Sequence, residues 1–403
     1  MHERRPVSVG QGISFRIWAA DEIIRSAQDD GAIVIVAPLW SDDNKSLQKI
    51  IELKDQYHII NSDMKAIRLD INELRDWVGA LLTAHKVYGV QAKDDCFAFA
   101  GLSRAEDLRL DYDVAVTAPK CFFQPPREVL LNFSSPAGFE SVMDNEPFIL
   151  LGVHPYDMAA INQMDRIFAS GVYDAHYMER RRRALIIGCD VQNPSKNVFA
   201  GCMNAAVVKQ GFDVLLTLLD NYYLAEAMTE AGAKLLALAK CAPPADAESL
   251  RKRNAVWDNN RKALRRHELK VPLQDLPSLL EKSYDHPVWE EKAQKCFSCG
   301  SCNLVCPTCY CFDVRDETQW DLHHGVRCRV WDGCLLKDFA TVAGGHNFRK
   351  SRAERYRHRY YRKGKYVAEK IGEISCVGCG RCISACVTKI ANPVEVYNRL
   401  LET

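Results

Sequence analysis

Apolar residues in this chain fall in short, dense runs separated by polar stretches. Ala32 to Ala37 is a run rich in β-branched residues, stopped by Pro38, which is the pattern of a buried strand. Phe148 to Val153, Ala184 to Gly188 and Val214 to Leu218 repeat it. Strands that are apolar on both faces belong to sheets covered by helices on both sides. Helix-like stretches lie between or after them, notably Tyr223 to Lys240, so the pattern predicts an α/β region with a mostly parallel sheet. It divides into residues 1–112, where helical and strand-like pieces alternate, and a clearer α/β domain at 113–242. Pro243-Pro244-Ala245-Asp246 breaks the pattern. Ala247 to Leu269 then reads as a long polar helix, ended before Pro272, within a helical linker at 243–286. From residue 287 the hydrophobic periodicity gives way to cysteine.

Composition narrows the function classes. Lysine plus arginine number 53 against 52 acidic residues, for a net charge of +1, so bulk charge points neither to a nucleic-acid-binding protein nor to an acidic disordered tail. The longest apolar runs, such as Ala32 to Leu39, are far shorter than the roughly 20 residues a membrane-spanning helix needs. Cysteine is the outlier, with 17 residues, most of them between Cys296 and Cys386. Disulfide frameworks belong to short secreted chains. Arg4-Arg5 is not followed by the apolar stretch of a signal peptide. A soluble cytoplasmic protein that keeps its thiols for metal is expected.

The cysteines are patterned. Cys296-Phe-Ser-Cys299-Gly-Ser-Cys302-Asn-Leu-Val-Cys306-Pro307 is matched by Cys376-Val-Gly-Cys379-Gly-Arg-Cys382-Ile-Ser-Ala-Cys386, each of the form C-x2-C-x2-C-x3-C. A cubane [4Fe–4S] cluster needs four thiolates, one per iron. Two-residue spacers let one tight loop supply three of them, and Gly300, Gly378 and Gly380 permit the backbone such a wrap requires. In two-cluster ferredoxins the fourth cysteine ligates the other cluster. That rule assigns cluster one to Cys296, Cys299, Cys302 and Cys386, and cluster two to Cys306, Cys376, Cys379 and Cys382. Zinc is the competing occupant, since it takes four thiolates from two C-x2-C pairs. Two complete four-cysteine runs favour iron–sulfur. Crossed ligation also makes residues 307–375 an insertion folded back on a ferredoxin-like domain at 287–403. The fold class expected is thus α/β, α+β overall, with a dicluster domain after the sheet.

The insertion carries Cys309, Cys311, Cys328 and Cys334. They are a possible third cluster site or buried or redox-active thiols, and the Cys309-x-Cys311 spacing is tight for a cubane loop. The insertion is also basic, with Arg349, Lys350, Arg352, Arg355, Arg357, Arg359, Arg362, Lys363 and Lys365 interleaved with Tyr356, Tyr360 and Tyr361. Arginine on phosphate with tyrosine on bases would suit nucleic acid. A charged helix that compensates anionic clusters or docks an acidic partner is the plainer reading, because the rest of the chain is neutral. There is no G-x-G-x-x-G loop, which leaves NAD(P)H or FAD binding by this chain without support. Cys189 and Cys202 read as buried small residues rather than catalytic thiols, and His154 and His346 as structural histidines rather than proton relays. No catalytic residue is identified.

Cys306-Pro-Thr-Cys309-Tyr-Cys311-Phe-Asp313, Arg329-Val-Trp331-Asp-Gly-Cys334, Val342-Ala-Gly344-Gly345-His346-Asn-Phe348-Arg349 and Cys376-Val-Gly-Cys379-Gly-Arg-Cys382 together resemble one family. It is that of the β subunits of cytoplasmic hydrogenase/sulfur reductase (sulfhydrogenase) complexes, with relatives including the A subunit of anaerobic sulfite reductase. Upstream, Gln124-Pro-Pro-Arg127-Glu128, Gly152-Val-His-Pro155-Tyr156-Asp157, Ala160-Ile161 and Gly188-Cys189 are similar to family landmarks. Tyr156 stands where the family pattern has a cysteine, and the cysteine-rich stretch after Cys189 is reduced to Cys202, so thiol chemistry of that half is not carried over. The resemblance implies a subunit that relays single electrons between a flavoprotein using FAD and NAD(P)H and a second redox subunit. That subunit would be a hydrogenase, a sulfite reductase or a heterodisulfide-reductase-type module. The alternative is a reductase with its own substrate site in the α/β half.

Overall fold

A computed structural model of the chain describes residues 66–402 apart from Ser135 and Ala137. The strand expected at Ala32 to Ala37 lies outside the described residues. Among the described residues eleven strands form two sheets. The larger has the order β1 (Ala66–Leu69), β9 (Tyr222–Ala227), β8 (Val214–Leu219), β7 (Ala184–Cys189), β6 (Phe148–Val153), β2 (Val87–Lys93), β3 (Cys96–Gly101). Its centre, β8-β7-β6-β2, is parallel, and its edges pair antiparallel. The three strands read from apolar runs are β6, β7 and β8 of this centre.

Alternation along β6 explains why those runs had to be apolar throughout. Ile149 and Leu151 face a core shared with Leu74, Trp77 and Leu81 of the helix Ile71–Ala84. Phe148 and Leu150 face the opposite core, with Met158 and Ile161 of the helix Pro155–Ala169 and Trp257 of the helix Ala247–Ala263. Both faces are covered, so neither set of positions can be polar.

Two helical expectations are corrected. The stretch from Tyr223 to Lys240 begins as β9 and becomes helical only at Glu230–Leu236. Leu224, Ala225 and Ala227 are good helix formers, but β8 lies on one side of this segment and β1 on the other, and ladder pairing overrides local propensity. The polar helix that starts at Ala247 ends at Ala263 rather than Leu269, and the residues that follow run back past the cysteine loops.

The second sheet joins the two halves of the sequence. Its order is β10 (Phe312–Thr318), β11 (His324–Trp331), β4 (Arg127–Ser134), β5 (Gly138–Ser141), all antiparallel. The insertion's hairpin is therefore not wrapped on the cysteine loops alone: it extends a hairpin from the α/β half. A buried ion network fixes the joint. Glu128 of β4 pairs with Arg329 of β11 and with Arg180, and Arg329 also meets Asp174.

Around the cysteine loops a third core gathers Leu276, Leu280, Val288, Trp289, Tyr356, Tyr360, Val396 and Tyr397. The helix Arg352–Tyr361 starts at a reciprocal cap between Ser351 and Glu354 and continues through a π-helical turn, Arg362–Tyr366. Among the described residues no helix is long and apolar enough to cross a membrane.

Candidate metal centre

The two cysteine motifs fold alike. In each, a glycine at positive φ begins a short helix: Gly300 (φ 73°) before Ser301–Leu304 and Gly380 (φ 78°) before Arg381–Ala385. These two helices pack on each other. Gly378 and Gly380 also answer to close approach. A Cβ on Gly378 would meet the Ala200 nitrogen at 2.6 Å, and one on Gly380 the Asn197 carbonyl oxygen at 2.4 Å. Phe199 donates its amide to the Gly378 carbonyl at 2.7 Å. The second motif is thus moulded against a loop of the α/β half.

Cys306 leaves its own motif and joins the other one. Cys306, Cys376, Cys379 and Cys382 line one hollow, of about 400 Å³ counting its open mouth, with Arg359 and Lys363. Thr308 holds this arrangement by donating its hydroxyl to the Ser375 carbonyl at 2.6 Å, while Lys363 donates to Thr308 at 2.7 Å. Cys296, Cys299, Cys302 and Cys386 form the second grouping. Cys302 feels the charge of Cys386 and Cys296, and Cys299 that of Cys386. Thiols spread around a hollow suit a cubane, with one iron per thiolate. The donor set, the glycine cradle and the hollow all fit that group.

The groupings differ in depth. Cys299 is exposed, and Phe297 and Val387, beside cysteines of the first grouping, are 69% and 74% exposed. Burial pushes the thiols of Cys376, Cys379 and Cys382 upward, Cys379 to about 12 and Cys382 to about 11, whereas a hydrogen bond from the Cys309 thiol holds Cys306 well below the usual thiol range. Burial also opposes the Cys386 thiolate, but the Thr388 hydroxyl and the amides of Ile390, Ala391 and Thr388 outweigh it and hold its pKa down.

The basic segment turns inward. Arg355, Arg359 and Lys363 are buried. Arg355 donates to the carbonyls of Leu335, Arg349 and Lys350, Arg352 to that of Cys296 and Arg359 to that of Cys302. Among the described residues no carboxylate pairs with Arg359 or Lys363. Burial opposes the charge on Lys363, yet the neighbouring Cys306 and Cys309 sulfurs more than offset it and raise its pKa.

Cys309, Cys311 and Cys334 line a second hollow. Cys328 does not join them. It sits in β11 opposite Val129 of β4, where its sulfur accepts from Arg127 at 3.0 Å. Cys189 is buried with its thiol pushed up to about 12 by that burial. Cys202 donates to the His267 carbonyl at 3.3 Å. His154 stacks on Tyr112 at 3.9 Å and pairs through Nδ1 with Tyr156, and burial followed by the Arg381 charge keeps it neutral. His346 packs on exposed Phe348.

One pair escaped the sequence reading. Arg381, inside the second motif, binds Asp157 bidentately at 2.6 and 2.7 Å and donates Nε to the Ala115 carbonyl at 2.7 Å, all buried. Tyr156 packs beside it with Val377 and Cys379. Asp157 stood in a landmark run and Arg381 between two ligand cysteines, but only the fold shows that they meet.

Residues 295–390 match the family described as a 4Fe-4S dicluster domain. Over 340 residues the chain is 30% identical to the Sulfhydrogenase 2 subunit beta of Pyrococcus furiosus, covering 84% of this chain and 99% of that protein.

Proposed function

This chain belongs to the sulfhydrogenase β-subunit family, and from that premise we propose that it relays single electrons between a flavoprotein subunit using NAD(P)H and a second redox subunit. It is an iron–sulfur electron-transfer subunit of the hydrogenase type. Cys306, Cys376, Cys379 and Cys382 hold one [4Fe–4S] cluster, and Cys296, Cys299, Cys302 and Cys386 the other. The observation that carries this reading is the deep hollow, where the last cysteine of one motif stands among the first three of the other.

A bound cubane supplies storage for one electron at a time. The chain does the rest. Buried thiols and the tyrosine-rich core exclude water from the deep site. Arg359 lies among sulfurs of both groupings, beside Cys302, Cys306 and Cys382, and offsets their negative charge. The shallow site, with Cys299, Phe297 and Val387 at the surface, is where a redox partner docks. A flavin accepts a hydride as a pair of electrons and releases them singly, so a flavoprotein neighbour suits that port.

The test mixes the anaerobically purified chain with NAD(P)H, alone and with the flavoprotein that co-purifies with it, and follows visible absorbance. Bleaching only when the flavoprotein is present is expected. Reduction of the isolated chain by NAD(P)H would overturn the relay reading in favour of a cofactor site of its own.

A further inference from the structure

The second hollow shares a wall with the first. Thr308, Arg359 and Lys363 line both. Three thiols face the second one: Cys309 and Cys311, from the turn after the first motif, and Cys334, from the turn after β11. The two turns are tied by the Asp332 amide, which donates to the Cys311 carbonyl at 3.1 Å. Asn303, 1% exposed, donates its side-chain amide to the sulfurs of Cys334 at 3.3 Å and Cys309 at 3.6 Å, and its carbonyl oxygen has no partner. Gly333 makes room for it, because a Cβ there would meet the Asn303 Cβ at 3.1 Å.

The charges are lopsided. Lys120 is buried with its ammonium on the Cys309 carbonyl at 2.7 Å. Arg362 donates to the Tyr310 hydroxyl and lines the hollow with Arg359 and Lys363. Among the described residues none of these four cations has a carboxylate partner. A buried cation without a counter-charge costs several kcal/mol. Thiolates, and an anionic group held by them, are the negative charge this wall can meet.

We propose that Cys309, Cys311 and Cys334 hold a third iron–sulfur cluster in this hollow, with one iron left to a ligand other than cysteine. Cys328 has no part in it. The inference extends the relay reading but is tested separately from it.

The full chain is purified anaerobically, reconstituted with ferrous iron and sulfide, and assayed for iron, sulfide and zinc beside Cys311→Ser, Cys334→Ser and Cys328→Ser. The expected result is about eleven or twelve irons per chain, falling by about a quarter to a third in the first two variants and unchanged in the third. A second readout uses the unsubstituted chain, so it does not depend on variant folding. A cubane with only three cysteines gives up its labile ferrous ion when ferricyanide removes one electron, and the three-iron cluster that remains has its own EPR signal, lost again on adding ferrous iron and a reductant. About eight irons, unaltered by either substitution and with no such signal, overturn the third site and leave the two-cluster reading standing. Zinc lost on Cys311→Ser overturns it too. A chain that takes up no iron overturns both.

Discussion

At the scale of single residues, the account rests on charges placed where water cannot reach. Arg381 and Asp157 neutralise each other in full burial, so removing one partner strands the other. Arg381→Ala is expected to cost about 3–5 kcal/mol, read as a fall in thermal or denaturant midpoint together with loss of iron from the deep site. Arg381→Lys rescues little, since an ammonium cannot reproduce the bidentate fork. Arg359 lies against sulfurs of both groupings. Its replacement by methionine is expected to make both clusters harder to reduce, by roughly 50–100 mV, in an EPR-monitored redox titration. Asp190 gives a pH signature. Burial raises its carboxyl to about 6 despite hydrogen bonds from Thr217 and Trp257. A carboxyl whose folded pKa exceeds its unfolded one stabilises the fold most below the unfolded value of 3.8, and that contribution fades as pH rises through about 6. The shift corresponds to roughly 3 kcal/mol. Unfolding measured across that window should lose this slope in Asp190→Asn.

At the scale of elements, the second motif's loop and the loop before Ala200 are cast against each other. Gly378→Ala and Gly380→Ala add backbone collisions to strain at positive φ, which alone costs about 1–3 kcal/mol. Both are expected to empty the deep site before the shallow one, seen as the loss of about four irons per chain. Gly79→Ala is the opposite case. It lies inside the helix Ile71–Ala84 with nothing within 4 Å of the added Cβ, and a gain of about 0.5–1 kcal/mol is expected in denaturant unfolding. The same elements mark how far sequence reading reached. β6, β7 and β8 were legible because burial on both faces leaves an uninterrupted apolar run. The cysteine spacing was legible because the chemistry dictates it. β9 was not, because Leu224, Ala225 and Ala227 favour helix and only the flanking strands decide. The β4–β11 joint was equally hidden: its partners lie far apart in sequence, and Glu128 and Arg329, though each stood in a landmark run, gave no sign that they meet in the buried joint.

At the scale of the whole molecule, the α/β half moulds the hollow that Cys306, Cys376, Cys379 and Cys382 line. Asp157 grips the motif's arginine, the Asn197–Ala200 loop presses on its glycines, and β4 carries the insertion whose Lys363 and Arg359 face the thiols. This gives a large α/β region a reason to precede a ferredoxin-like domain. The similarity to the Pyrococcus protein runs over 99% of that chain rather than through the cysteine region alone. The most direct test of the central claim is low-temperature EPR during stepwise reduction of the anaerobically prepared chain, with Cys306→Ser alongside. The account expects signals of two magnetically coupled cubanes. In Cys306→Ser the cluster on Cys376, Cys379 and Cys382 should be altered or lost, although the substitution lies in the other motif. A Cys306→Ser chain that loses the cluster of its own motif instead, or a native chain that carries zinc and no cubane signal, would contradict it.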